Sequence, residues 1–280
     1  RYVNAFAGIS PDHPFARSKG GRPDHGRSPW ERLSTYEYGQ LTAPQQPQMT
    51  AAQKTASNLW SSVPLADPAQ PLVVPDYLRE SGITGVDFLK IDVDGKDFDI
   101  LNSFDEALDD LQILALGLEV VYYGSDNNTD HTFHNTDRFM KSKGFEIFNL
   151  TVQRYSATAL PSRFLTSRAG PTESGRVLVG DALYVRDLAS SLYDSFAARL
   201  SADKILNVAL IFSVFQLPDC AAEILLKFRP QLASVCDVDK ALDLLVAQAQ
   251  NRSSAASFSD YDERFRRDPS SFLGNRNPFL

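Results

Sequence analysis

Val86-Asp-Phe-Leu-Lys-Ile-Asp-Val-Asp-Gly95 is the stretch on which the fold turns. Its apolar run has the length of a buried strand, acids gather toward its end, and a glycine closes it before a helical pattern begins. In open α/β sheets ligands bind beyond the carboxyl ends of the parallel strands, which makes Asp92 and Asp94 candidate functional residues.

The sequence on either side supplies the rest of such a sheet. Upstream, Leu72 to Val74 reads as a short strand, Asp76 as the cap of a helix running through Glu80, and Gly82 to Gly85 as the turn into the central stretch. Downstream, Phe98, Leu101, Phe104, Leu108 and Leu111 recur at three- and four-residue intervals, predicting one helix of about four turns. Ile113 to Tyr123 is apolar apart from Gly117 and Glu119, the pattern of a strand covered on both faces, and an acid at such a position needs a partner or a function. Thr132 to Lys143 reads as a helix with Gly144 as its C-cap. Phe145 to Arg154 and Val177 to Arg186 follow as two strands forming an antiparallel pair at the sheet edge. The alternation of strand and helix predicts an α/β sheet with mostly parallel pairing.

Outside this core the character changes twice. Residues 1–9 read as a strand, and residues 10–71 are a long irregular insertion rich in proline, glycine, serine and glutamine, with Ala51 to Trp60 as its one helix. Pro-Asp-His occurs there at 11–13 and again at 23–25. Histidine and carboxylate are metal ligands, but Pro-Asp is ordinary turn chemistry and the copies lack a fixed set of partners, so no metal site is assigned. Beyond Asp187 the pattern is helical only, through Leu192–Leu200, Lys204–Phe215, Cys220–Phe228 and Val238–Gln250, with Pro218 and Pro230 as breaks. The expected organisation is an α/β domain over 1–187, a helical domain over 188–250 and a flexible tail over 251–280. The helical part reads either as α-solenoid-like helix pairs, though no period repeats, or as a small bundle or oligomerisation domain that could form a homo-oligomer.

Composition narrows the function. The 280 residues are 43% apolar, enough for a sizeable core, and carry a formal net charge of −7. No basic run is long enough to neutralise several phosphates, so nucleic-acid binding is not expected. The longest apolar runs fall short of the ~20 residues of a membrane-spanning helix. Cys220 and Cys236 belong to no Cys-x-x-Cys or Cys/His cluster and read as buried thiols in a reducing, cytoplasmic setting.

Asp87-Phe-Leu-Lys90-Ile-Asp92-Val-Asp94-Gly95, followed by Phe98 to Asn102, resembles the FkbM-type family of S-adenosylmethionine-dependent methyltransferases. That family's strand carries glutamate where Asp94 stands. Leu118-Glu119-Val120, Gly144-Phe145, Arg154-Tyr155-Ser156 and Gly180-Asp181-Ala182-Leu183-Tyr184-Val185-Arg186 fall in the family's order and spacing. The resemblance implies a Rossmann-like methyltransferase sheet, mostly parallel with an antiparallel edge and followed by a small all-α region. It implies S-adenosylmethionine as cofactor and transfer to a small-molecule or glycan acceptor. The family's glycine-rich cofactor loop, of the Asp-x-Gly-Ala-Asn-x-Gly kind, has no counterpart in this sequence, and the sheet is expected to be N-terminally incomplete.

The candidate catalytic residues are Asp92, Asp94 and Glu119. Asp92 is the first choice for a base or orienting group at the acceptor, because a carboxylate there can take or hold the departing proton. The alternative is that Asp92 and Asp94 cap a helix starting at Lys96. Lys90 is expected to pair with a nearby acid. His131 and His134, spaced three apart, either face one side of a helix start and serve as a base or ligand pair or are plain surface residues. Two further function classes stay open: a glycosyltransferase whose Asp92-Val-Asp94 holds a divalent ion against a nucleotide sugar, and a non-catalytic binding module.

Overall fold

The computed structural model describes residues 7–8, 72–93, 96–124, 126–155, 175–249 and 257–272. The expected helix over Ala51–Trp60, both Pro-Asp-His copies, most of the first strand, Asp94, Gly95 and Ser156 lie outside the described residues. The chain divides at Val185/Arg186 into two compact units.

In the first unit β1 (Ala7–Gly8) pairs parallel with β2 (Leu72–Val73). Helix α1 (Val74–Glu80) follows with Pro75 in its first turn, where a missing N–H costs nothing. Asp76, expected as its cap, lies inside the first turn and pairs with Arg79 at 2.6 Å.

A four-stranded sheet carries the rest, in the order β3-β4-β6-β5. Its strands are β3 (Phe88–Ile91), β4 (Ala115–Val121), β5 (Glu146–Tyr155) and β6 (Arg176–Val185). Strands β3 and β4 are parallel, joined through helices α2 (Asp97–Phe104) and α3 (Ala107–Asp110). Helix α4 (Phe133–Ser142) connects β4 to β5. Strand β6 pairs antiparallel with both β4 and β5, so β3, β4 and β5 run one way and β6 is inserted against them. The antiparallel pair β6–β5 closes one edge of this sheet as expected; the mostly parallel pairing is corrected, because β6 also runs antiparallel to β4 and two of the three described pairings of the four-stranded sheet are antiparallel. Helical connections permit the common direction of β3, β4 and β5.

Insertion of β6 needs a strand that tolerates close backbone. Gly180 supplies it, since a Cβ there would stand 2.2 Å from the Thr151 carbonyl oxygen across the β5–β6 pair. Any side chain would have to push the ladder apart.

The four-turn helix expected after Gly95 is instead the pair α2 and α3, broken at Asp105, whose φ is +31°. Aspartate is among the residues that tolerate positive φ, and here its carboxylate is anchored by Lys143. The apolar spacing survives the break: Phe98, Leu101, Phe104, Leu108 and Leu111 are all buried, against Leu116, Leu118, Val120, Ala182 and Tyr184 of the sheet and Met140 of α4. Each fully buried side chain of this size contributes about 1.5–3 kcal/mol. Gly144 leaves α4 at φ +76°, the left-handed exit read from the sequence.

The second unit is helical. It contains α5 (Asp194–Ala197), α6 (Ala202–Val214), α7 (Pro218–Lys227), α8 (Arg229–Leu232), α9 (Val238–Ala249) and α10 (Phe258–Arg267). Its core joins Ile205, Val208 and Phe212 of α6 to Ile224 and Leu225 of α7 and Leu242 and Val246 of α9. Pro218 and Pro230 stand in the first turns of α7 and α8, so they start helices where the sequence reading took them only as breaks. Lys227 closes the entry to the unit, its ammonium reaching the carbonyls of Leu188, Ala189 and Ser190 and the carboxylate of Asp194. Residues 257–272, expected within a flexible tail, form α10 and a short 3-10 turn. Ser257 caps α10 through the Asp260 amide, and Asp243 of α9 accepts the Phe258 amide at 2.7 Å. Cys220 and Cys236 are free and only half-buried, where full burial was expected; desolvation first, then neighbouring acids, push both thiols up.

Tyr184, fully buried in β6, donates to Asp137 of α4 at 3.3 Å. Burial, then the Asp137 charge, push its phenol far above the ordinary 10.0. The native state therefore keeps a proton that the unfolded chain releases, and stability falls as pH rises above 10. Replacing Tyr184→Phe is expected to cost about 0.5–1.5 kcal/mol at neutral pH in urea denaturation, and the gap to wild type should narrow above about pH 10.

Candidate active site at the carboxyl ends of β3 and β4

Register places the candidate acids in one row. Ile91 pairs with Leu118 and both face the core, so Asp92, one residue on, falls beside Glu119 on the opposite face. Glu119 pairs with Asp181 of β6, and Asp181 with Thr151 of β5. Opposed carboxylates repel at the short separation of a cross-strand pair, so such a row needs a nearby cation.

Lys90 is that cation. Its ammonium lies 3.0 Å from Asp92 Oδ2, with both side chains about half exposed, at 58% and 47%. The hydrogen bond and charge of Asp92 hold the lysine above its ordinary 10.5, and Asp181 and Glu119 add to the effect. An exposed pair of this kind is screened by water and contributes little to stability, so its value lies in local charge.

The helix start is organised by a residue the sequence reading missed. Lys96 is the N-cap position of α2, and neither it nor Asp92 supplies a side-chain cap; the cap role proposed for Asp94 lies outside the described residues. Asp97, in the first turn and only 3% exposed, accepts the Val93 amide at 3.0 Å. Its other oxygen faces His131 Nδ1 at 3.9 Å. His131 in turn donates Nε2–H to the backbone carbonyl of Glu119 at 3.0 Å and lies parallel to the Phe98 ring, 6.5 Å away. Asp97 was legible after all, because it shares the 97, 101, 104, 108 stripe that buries Leu101, Phe104 and Leu108. A charge on the buried stripe of a helix is the signal.

His131 and His134 do not form a pair. His131 precedes α4 and turns toward Asp97, whereas His134 is exposed in the first turn and meets Thr132 at 3.4 Å. The loop delivering His131 is held by Asn135, 2% exposed, whose amide donates to the carbonyls of Asn127 and Asp130 at 2.8 and 2.9 Å. Arg138 donates to the Asn135 side-chain oxygen at 2.7 Å. Of the candidates, then, Asp92 and Glu119 stand together, Asp94 is outside the described residues, and Asp97, His131, Asn135 and Asp181 join them. Among the described residues no group of three His, Cys, Asp or Glu side chains could hold a metal ion.

Truncating Asn135→Ala strands two loop carbonyls, each of which loses a donor. The expected loss is about 1–3 kcal/mol by chemical denaturation, with faster amide exchange over residues 127–131.

No curated protein and no solved structure matches the chain. A family model does: residues 37–147 match the one described as the Methyltransferase FkbM domain. The segment that presents Asp92, Asp97, Glu119 and His131 lies within that match and is similar to the methyltransferase FkbM domain.

Proposed function

We infer that the protein is an S-adenosylmethionine-dependent O-methyltransferase, acting on a hydroxyl of a sugar or other small metabolite, on a Rossmann-like sheet. The observation that supports this most directly is the exposed Asp92 carboxylate at the carboxyl end of β3, beside Glu119 and inside the family match. Bound S-adenosylmethionine supplies an electrophilic methyl group. The described residues include no glycine-rich turn at a helix N-terminus of the kind that cradles a nucleoside, so no donor contact is assigned among them.

What the described residues offer is the acceptor side. An acceptor hydroxyl donating to Asp92 would be oriented by that hydrogen bond, and the same carboxylate would take its proton. Lys90 pairs with Asp92 at 3.0 Å, and Glu119 and Asp181 extend a row of acceptors suited to a polyhydroxylated molecule. Asp94 is proposed as a further acid of this site from its place in the motif alone. No helix among the described residues is long and apolar enough to cross a membrane, and the free thiols of Cys220 and Cys236 are compatible with a reducing cytoplasm. Self-association through the C-terminal helices is part of the proposal, supported by exposed Leu210, Val214 and Leu244; a monomer in sedimentation equilibrium would remove it.

Thermal shift with S-adenosylmethionine, and with Mn²⁺ plus a nucleotide sugar, separates this reading from a glycosyltransferase. Stabilisation by S-adenosylmethionine alone is expected, and stabilisation only by the metal and sugar nucleotide would overturn it. With labelled donor and a panel of sugar acceptors, Asp92→Asn is expected to lower turnover by about 10²-fold or more, within the range for a general base. Unchanged turnover would remove Asp92 from the site.

A further inference from the structure

The geometry points to Asp97 and His131 as a pair of positioning residues that clamp the backbone beneath both candidate acids; the inference rests on the methyltransferase reading and adds residues to it. Asp92 gains no fixed orientation from its side-chain contact, because the Lys90–Asp92 pair is half exposed and free to exchange with water. Its orientation has to come from the main chain. The Asp92–Val93 peptide unit ends at the Val93 amide, and that amide is held by the buried Asp97 carboxylate at 3.0 Å. A charge-assisted bond of this type, shielded from solvent, is stronger than a neutral one and fixes the peptide plane that aims the Asp92 side chain.

Glu119 is fixed in a matching way. Its backbone carbonyl accepts from His131 Nε2 at 3.0 Å, while the opposite ring nitrogen faces Asp97 at 3.9 Å. Stacking on Phe98 sets the ring plane, and Asn135 sets the loop from which the ring projects. One buried carboxylate thus holds the main chain that follows Asp92, and one imidazole, 3.9 Å from it, holds the main chain at Glu119 on the neighbouring strand. Asp97 and His131 reach the site through the Val93 amide and the Glu119 carbonyl, so they act through Asp92 and Glu119 and not on the acceptor. Holding reactive groups within about 0.5 Å of their working geometry is the function such supports serve.

The test uses the full chain and reads the clamp both with and without turnover. By NMR, Val93 amide exchange is expected to accelerate about tenfold or more in Asp97→Ala and to stay slow in Asp97→Asn, which keeps an acceptor oxygen. In methyl transfer from labelled S-adenosylmethionine, Asp97→Ala is expected to lower kcat about 10–100-fold with KM within about threefold for donor and acceptor, and Asp97→Asn to recover most of it. His131→Phe keeps the stacking on Phe98 and removes both polar contacts; the same KM-sparing loss is expected, and it carries the kinetic arm should Asp97→Ala fail to fold. Unchanged Val93 exchange in Asp97→Ala, or kcat per folded molecule equal to wild type in both Asp97→Ala and His131→Phe, would overturn the clamp. Absence of methyl transfer by wild type to any acceptor would sink the methyltransferase reading instead, and the clamp would then be judged on exchange alone.

Discussion

Everything in the first unit is referred to β4, a strand buried on the core face by Leu116, Leu118 and Val120 and bonded on both edges. Because side chains alternate along a strand, burying those three residues forces Glu119 onto the other face, and the registers with β3 and β6 bring Asp92 and Asp181 alongside it. A slip of one residue would send Glu119 into the core and Leu118 out of it. Hydrophobic burial, of order several kcal/mol per pair of such residues, therefore sets the position of the acids without any direct interaction among them.

The same face would be electrostatically unfavourable if left to carboxylates. Lys90 alone cannot offset three acids, and water does part of the work because Asp92 and Asp181 are exposed. The buried counterpart is handled differently. Asp97 is removed from water and accepts the Val93 amide at 3.0 Å, with the His131 ring 3.9 Å from its other oxygen. Asp92 and Asp181 stay in water, and the buried acid is committed to the scaffold.

What the sequence revealed and what it hid follow the same division. The strand that ends before Asp92, the apolar run of β4, the glycine exit of α4 and the pairing of β5 with β6 were all legible, because each rests on periodicity or on a local conformational demand. The position of β6 between β4 and β5 was not, since antiparallel neighbours leave the same alternation in either order. Nor was the break at Asp105, where the apolar spacing continues as though the helix did. α10 escaped because Asp-Tyr-Asp-Glu-Arg-Phe-Arg-Arg has little apolar surface; it is held by a serine cap, the Asp243 bond and an Asp262–Arg266 pair at 2.8 Å.

The site shows the distinction most sharply. Asp92 attracts notice because it is an acid at a strand end, yet its surroundings are exposed and loosely held. Asp97 attracted none, being one acid among several at a helix start, yet it is the carboxylate with a committed structural role. Strand alternation predicts which acids reach solvent, whereas helix periodicity predicts which acid is swallowed, and only the second kind must find a partner within the protein. The imidazole that answers Asp97 comes from 34 residues further along the chain, a contact no local pattern encodes. Long-range partners of buried charges are thus the part of such an arrangement that a single sequence conceals.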